Sequence, residues 1–156
     1  MRQVNVGYLL REGEVLLAMK KRGFGAGKWN GFGGKLKPGE TLEECFVREA
    51  QEELSIKPTK FEKRAVLEFQ FDDIPAEEGW NQQMHVYLCH EWEGEPCESE
   101  EMAPQWFPLS ELPREMWSSD KCWLERVLNG EKVAGKCVFA GRGEVVKEFV
   151  ERPFTT

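Results

Sequence analysis

The sequence predicts an α+β fold, a mixed β-sheet sandwiched between α-helices, on three observations. Short β-rich runs outnumber helical stretches, two amphipathic helices interrupt them, and the order is not a regular βαβ alternation. A chain of 156 residues fits one domain spanning 1–156, and no repeat, linker or low-complexity tract divides it.

Residues 4–10 and 14–19 read as strands joined by Arg11-Glu12-Gly13, a hairpin. Residues 23–39 are irregular and glycine-rich, with 29–32 as a short strand. Residues 41–54 predict a helix: Thr41 is the N-cap, Glu44 completes a capping box, and Pro58 lies beyond the end. Strands follow at 65–71 and 84–92, separated by a polar insert containing Pro75 and Gly79. Trp106-Phe107 reads as a short strand and 120–128 as a second helix with Gly130 after it. A terminal hairpin pairs 136–139 with 145–150 around Gly141-Arg142-Gly143.

The 21 Lys+Arg against 28 Asp+Glu give a net charge of −7. That balance excludes non-specific binding to nucleic-acid polymers or anionic membranes, which needs a basic surface. The five cysteines (Cys45, Cys89, Cys97, Cys122, Cys137) are odd in number and form no CxxC pair, and the two histidines are His85 and His90. A disulfide framework or zinc site is not expected, and reduced cytoplasmic thiols are. The N-terminus lacks a signal-peptide h-region, and no window reaches the ~18 apolar residues of a membrane span.

Charge is distributed unevenly along the first third. From Val15 to Gly39 there is no acid, while Lys20, Lys21, Arg22, Lys28, Lys35 and Lys37 share the stretch with seven of the 15 glycines. Six glutamates then fall between Glu40 and Glu53. A basic glycine loop feeding an acidic helix suits a site where backbone and lysines approach phosphates and carboxylates hold a metal. A flexible loop beside a solvated helix face is the plain alternative. At about 100° per residue, Glu49, Glu52 and Glu53 converge on one helix face beside the apolar residues Leu42, Cys45 and Phe46. Glu43, Glu44, Arg48 and Gln51 lie further round. Crowded carboxylates raise each other's pKa unless a cation neutralises them, and an all-oxygen set selects Mg2+ or Mn2+. Neither a P-loop nor a dinucleotide fingerprint fits: Trp29 and Leu36 follow Gly27-Lys28 and Gly34-Lys35, and Asn30 stands where a third glycine belongs.

Residues 34–56 resemble the Nudix box, G-x5-E-x7-R-E-U-x-E-E-x-G-U with U bulky and apolar. Gly34, Glu40, Arg48, Glu49, Glu52, Glu53 and Ile56 match; Ala50 and Ser55 depart from it. The run from Met19 to Lys35, together with Glu98 to Met102, Trp106-Phe107 and Met116-Trp117 with Asp120 and Trp123, is similar to the animal-type MutT homologues. The resemblance implies the Nudix fold with its loop-helix-loop. It also implies Mg2+-dependent hydrolysis of oxidized purine nucleoside triphosphates, such as 8-oxo-dGTP, to monophosphate and pyrophosphate.

Carried onto this chain, the resemblance makes Glu49, Glu52, Glu53 and the Gly33 carbonyl metal ligands, with Glu101 an additional one. Glu53 would orient or deprotonate the attacking water, and Arg48 would pair with a box carboxylate. Lys20 would approach the phosphates, near Phe32, Gly33, Gly34 and Lys35. Asn5, Phe24, Asn30, Phe69, Trp117 and Asp120 would form the base pocket, beside Ser118 and Ser119. Where the family has paired aspartates, this chain has Ser119 and Asp120, which implies a narrower or shifted purine range. His85, in an alternating strand, reads as structural. The expected partner is a nucleotide, bound by a monomer. A Nudix enzyme acting on another nucleoside diphosphate-linked substrate and a non-catalytic nucleotide-binding module are the alternatives.

Overall fold

The computed structural model describes residues 1–23 and 25–155. In chain order the elements are β1 (Arg2–Arg11), β2 (Glu14–Lys20), β3 (Trp29–Asn30), β4 (Phe32–Lys35), α1 (Leu42–Leu54), β5 (Lys57–Phe71), β6 (Gln82–Glu93), β7 (Met102–Pro108), α2 (Asp120–Leu128), β8 (Val133–Ala140) and β9 (Val145–Arg152). Short 3-10 turns lie at Ala76–Glu78 and Gly141–Gly143.

Among the described residues the nine strands form one sheet in the order β3-β2-β1-β6-β5-β8-β9, with β4 beside β1 and β7 beside β2. It is mixed because β1 runs parallel to β6 and β5 parallel to β8, while the other pairs are antiparallel. The period-two alternation of a strand sends neighbouring side chains to opposite faces. On β6, Val86 and Leu88 join Trp123, Leu124 and Val127 of α2 in one core. Tyr87 and Cys89 join Phe46, Ala50 and Leu54 of α1 in the other. The sheet therefore lies between the helices, as the sequence predicts.

α1 begins where its capping chemistry dictates. Thr41 Oγ1 accepts the Glu44 N–H at 3.0 Å, and Glu44 Oε1 accepts the Thr41 N–H at 2.9 Å. The helix ends at Ser55, a left-handed residue with φ 60° and ψ 37°, where the family pattern has glycine. Its N–H reaches the Gln51 carbonyl at 3.1 Å, and the Ile56 N–H reaches Ala50 at 3.4 Å. A side chain in this conformation costs about 1–2 kcal/mol. Glycine removes that strain but adds about 0.4–1 kcal/mol of unfolded-chain entropy, so Ser55→Gly should stabilise the protein by a net of about 1 kcal/mol, raising the melting temperature by roughly 2–4 °C in a thermal scan.

Three elements differ most from the sequence expectation, and of these the strand expected at Trp106-Phe107 extends over Met102–Pro108 as β7, paired along the whole of β2. The short strand at 29–32 is split by Gly31 into β3, paired with β2, and β4, paired with β1. A Cβ at Gly31 would overlap the Gly7 carbonyl, so the bend needs this glycine. β5 begins at Lys57 rather than near Ala65, its first half carrying register shifts that break the hydrophobic alternation.

Candidate active site

The glycine loop becomes strand β4, and its pairing with β1 places Gly34 opposite Asn5 and Gly33 opposite Val6. Gly33 has φ 150°, and a Cβ there would overlap the Asn5 carbonyl. The absence of side chains at 33 and 34 lets the carboxylates of α1 reach the strand. The Gly33 N–H donates to Glu53 Oε1 at 2.9 Å. A Cβ on Gly34 would lie 2.7 Å from Glu49 Oε1, so the Glu49 carboxylate fills that space.

Glu53 is 6% exposed. Burial first, then its hydrogen bond to Glu49 and the charge of Glu49, push its carboxyl from 4.5 to about 8; the Gly33 N–H and Lys20 oppose the rise. A buried carboxyl held against a second carboxylate is a site short of positive charge.

Arg48 organises the box. Its Nε donates to Glu40 Oε2 at 2.6 Å and its Nη2 to Glu40 Oε1 at 3.0 Å. Its Nη1 reaches Glu49 Oε1 at 2.8 Å and Glu52 Oε2 at 3.2 Å, and Nη2 also reaches the Lys35 carbonyl. This forked pairing holds the Glu40 carboxyl down at about 2.

The three expected carboxylates are not equivalent. Glu53 is buried, Glu49 half-buried, and the Glu52 side chain is 53% exposed, tied to Arg48. Among the described residues no three metal-ligating side chains stand together as a closed cluster. Glu101 is not joined to the pair: Arg22 Nε holds it at 2.9 Å and lowers its pKa. Lys20 acts electrostatically on both Glu53 and Glu101, placing its charge near each.

A cleft of about 210 Å³ adjoins the carboxylates, lined at that end by Lys20, Gly33, Gly34 and Lys35. Asn30, Phe69, Trp117, Ser119 and Asp120 also line it. Asn30 Oδ1 accepts from the Tyr8 hydroxyl at 3.1 Å and from the Gly31 N–H at 2.8 Å. Those donors fix the amide and leave Nδ2 to donate. Asp120, at the start of α2, is 8% exposed; burial raises its carboxyl from 3.8 to about 7, opposed by its hydrogen bond with the Trp117 backbone. Asp120 Oδ2, Ser119 Oγ and Asn5 Oδ1 are buried with no protein partner. The other end of the Asn5 amide is committed, Nδ2 donating to the Leu42 carbonyl at 2.9 Å.

Two expected pocket residues lie elsewhere, and a third, Phe24, lies outside the described residues. Phe32 is buried in the α1 core, stacked on Phe46 at 5.2 Å, because the strand alternation turns it away from the cleft. Ser118 turns to the C-terminal hairpin, its Oγ donating to the Gly143 carbonyl at 2.9 Å. Arg2, Gln82 and Met84 line the cleft and were not expected there. The alternation could have found them: Arg2 and Val4 continue the face of Val6 and Tyr8, and Gln82 and Met84 that of Val86 and Leu88. His85 is structural, its Nε2 bonded to Gln3 Oε1 at 2.8 Å and its pKa held near 4 by burial.

Residues 1–127 match the NUDIX domain family. The chain belongs to the Nudix family. It is 40% identical over 140 residues to the oxidized purine nucleoside triphosphate hydrolase of Danio rerio, covering 89% of this chain and 87% of the relative. The Mus musculus protein of that name is 38% identical over 139 residues, 88% and 86% of the two chains. The 8-oxo-dGTP diphosphatase of Escherichia coli K12 is 32% identical over 109 residues, 69% of this chain and 80% of that one. A MutT Nudix hydrolase structure from Burkholderia pseudomallei superposes with TM-score 0.70 at 32% identity, covering 81% and 97%. The mutator MutT protein of Bacillus halodurans shares the fold across 99% of this chain and 100% of its own, with TM-score 0.81 at 24% identity.

Proposed function

We propose that this Nudix chain hydrolyses an oxidized purine nucleoside triphosphate, with 8-oxo-dGTP favoured, to the monophosphate and pyrophosphate. The observation that carries this reading is the union of two chemistries in one cleft. One end meets the Glu49 and Glu53 carboxyls under glycine backbone; elsewhere Asp120 and Ser119 offer unpartnered polar atoms beside Phe69 and Trp117. Aromatic faces hold a flat base, and the polar atoms read its edge.

The donor set fits a hard divalent cation, because the Glu49 and Glu53 carboxyls lie together against the Gly33-Gly34 backbone, an all-oxygen cradle short of positive charge. Glu49, Glu52, Glu53 and the Gly33 carbonyl would hold Mg2+ or Mn2+, with Glu101 able to join them on leaving Arg22. Such an ion, when bound, offsets triphosphate charge and lowers the pKa of water.

The chain's own groups supply the rest. Lys20 and Lys35 bring positive charge to the phosphates. Glu53, with Oε1 held by Gly33, takes the proton of the water that attacks the phosphoanhydride, releasing pyrophosphate. Arg48 keeps Glu49 and Glu40 in place without entering the reaction. Ser119, where the family has an acid, offers a hydroxyl able to donate or accept, which supports a range narrower than both 8-oxo-dGTP and 2-hydroxy-dATP. We place the protein in the cytoplasm as a monomeric single domain, in keeping with its free cysteines and continuous sheet. No helix among the described residues is long and apolar enough to cross a membrane.

A nucleotide screen with and without Mg2+, with products identified, tests this reading. Monophosphate plus pyrophosphate from a purine triphosphate is the expected result. Release of inorganic phosphate from the γ position would contradict it.

A further inference from the structure

We propose that the turn between β8 and β9 buttresses Trp117, the indole wall of the base pocket, from outside the cleft, and that Ser118 and Glu144 are positioning residues for Trp117. This rests on the functional reading above, because Trp117 is there a pocket aromatic. The turn lies beyond the residues matched to the family, which end at 127.

The contacts come from several directions. The Ser118 Oγ bond to Gly143 ties the segment carrying Trp117 to the turn. A Cβ on Gly143 would lie 3.0 Å from Trp117 Cζ3 and 3.2 Å from Phe71 Cε1, so the bare backbone packs against both rings. Phe71 and Phe139 meet the Trp117 ring edge-on at 6.5 and 6.4 Å. Gly25 of the basic loop lies against the indole, where an added Cβ would be 3.4 Å from Nε1. Lys28 sits 5.8 Å from the Trp117 ring centroid and 3.8 Å from Glu144 Oε1. Glu144 thus tethers the lysine that caps the indole.

The turn itself is tightly specified. Gly141, Arg142 and Gly143 all have left-handed φ values of 60°, 56° and 93°. Arg142 is not glycine, and such a conformation persists only where the surroundings impose it. Here the Arg142 N–H donates to Asp73 Oδ2 at 3.0 Å, and its guanidinium lies 5.0 Å over the Trp80 ring. Trp80 packs edge-on against Phe71 at 5.4 Å, which closes the circuit back to Trp117. An anchored turn of this kind fixes the plane on which a purine stacks, and so acts on binding rather than on the chemical step.

Steady-state kinetics with 8-oxo-dGTP on wild type, Ser118→Ala, Ser118→Thr and Glu144→Gln test the proposal. Ser118→Ala is expected to raise KM about three- to tenfold, the scale of one lost hydrogen bond, with kcat within about twofold of wild type. Ser118→Thr keeps the hydroxyl and restores KM. Glu144→Gln, a change at an exposed side chain, raises KM about twofold by releasing Lys28. An unchanged KM in both Ser118→Ala and Glu144→Gln, with wild type active, overturns the buttress and leaves the functional reading standing. A fall in kcat together with melting temperature at constant KM assigns these residues to folding alone and also overturns it. A wild type that hydrolyses no purine triphosphate overturns both readings.

Discussion

Glu53→Gln lowers kcat about 10²- to 10⁴-fold, the range associated with a general acid–base group, while the protein stays folded. The substitution keeps the shape and the Gly33 N–H contact to an oxygen, and removes the basic carboxylate. Stability gives an independent readout because the Glu53 pKa is raised from 4.5 to about 8. With divalent ions chelated, the stabilising contribution of neutral Glu53 is fully present below pH 4.5 and is lost as pH rises through about 8. Glu53→Gln abolishes that loss, so the variant is inactive and less sensitive to alkaline pH than wild type. Denaturant melts at pH 5 and pH 9 beside kinetic assays check both halves. Unchanged hydrolysis would remove Glu53 from the catalytic role.

Asp120→Ala lowers kcat/KM for 8-oxo-dGTP about ten- to a hundredfold, as expected when a buried hydrogen-bonding carboxyl is removed from a base edge. The pH signature belongs to the milder Asp120→Asn. Burial raises the wild-type Asp120 carboxyl from 3.8 to about 7, so below that pH the neutral form is favoured in the folded protein. Its stabilising contribution is complete below pH 3.8 and is lost as pH rises through about 7. The same titration changes Asp120 Oδ2 between donor and acceptor, so the wild-type KM profile inflects near pH 7. Asp120→Asn removes that inflection from both the KM profile and the stability curve, measured side by side.

The α1 region was legible in the sequence because local chemistry and global packing agree there. Thr41 and Glu44 cap the helix as their spacing predicts, and Glu53 borders the core as the helical wheel places it. Arg48 pairs with box carboxylates as the resemblance implies, but the wheel overstated Glu52, whose side chain is half exposed. The wheel counts angles and ignores reach, whereas the long Arg48 side chain draws Glu52 to the solvent edge and meets Glu40 across the loop. Phe32 was misassigned because a glycine-rich run gives no alternation to say which face an aromatic takes; the β1–β4 register decides it. Ser118 sits beside Ser119 in sequence, yet the turn entering α2 points one hydroxyl at Gly143 and leaves the other buried without a partner. Arg2 and Gln82 share the alternation of the cleft-facing strand residues, but as polar residues at strand ends they read as solvent-facing until the parallel pairing of β1 with β6 sets them side by side at the cleft.

In the proposed function, Asp120, Ser119 and the aromatic wall select an oxidized purine before the carboxylate end of the cleft cleaves its triphosphate. The most direct measurement is kcat/KM for 8-oxo-dGTP against dGTP in the presence of Mg2+. The geometry predicts a preference of at least about tenfold for 8-oxo-dGTP, the scale of one well-placed hydrogen bond at a buried edge. Equal turnover of the two nucleotides would contradict the account.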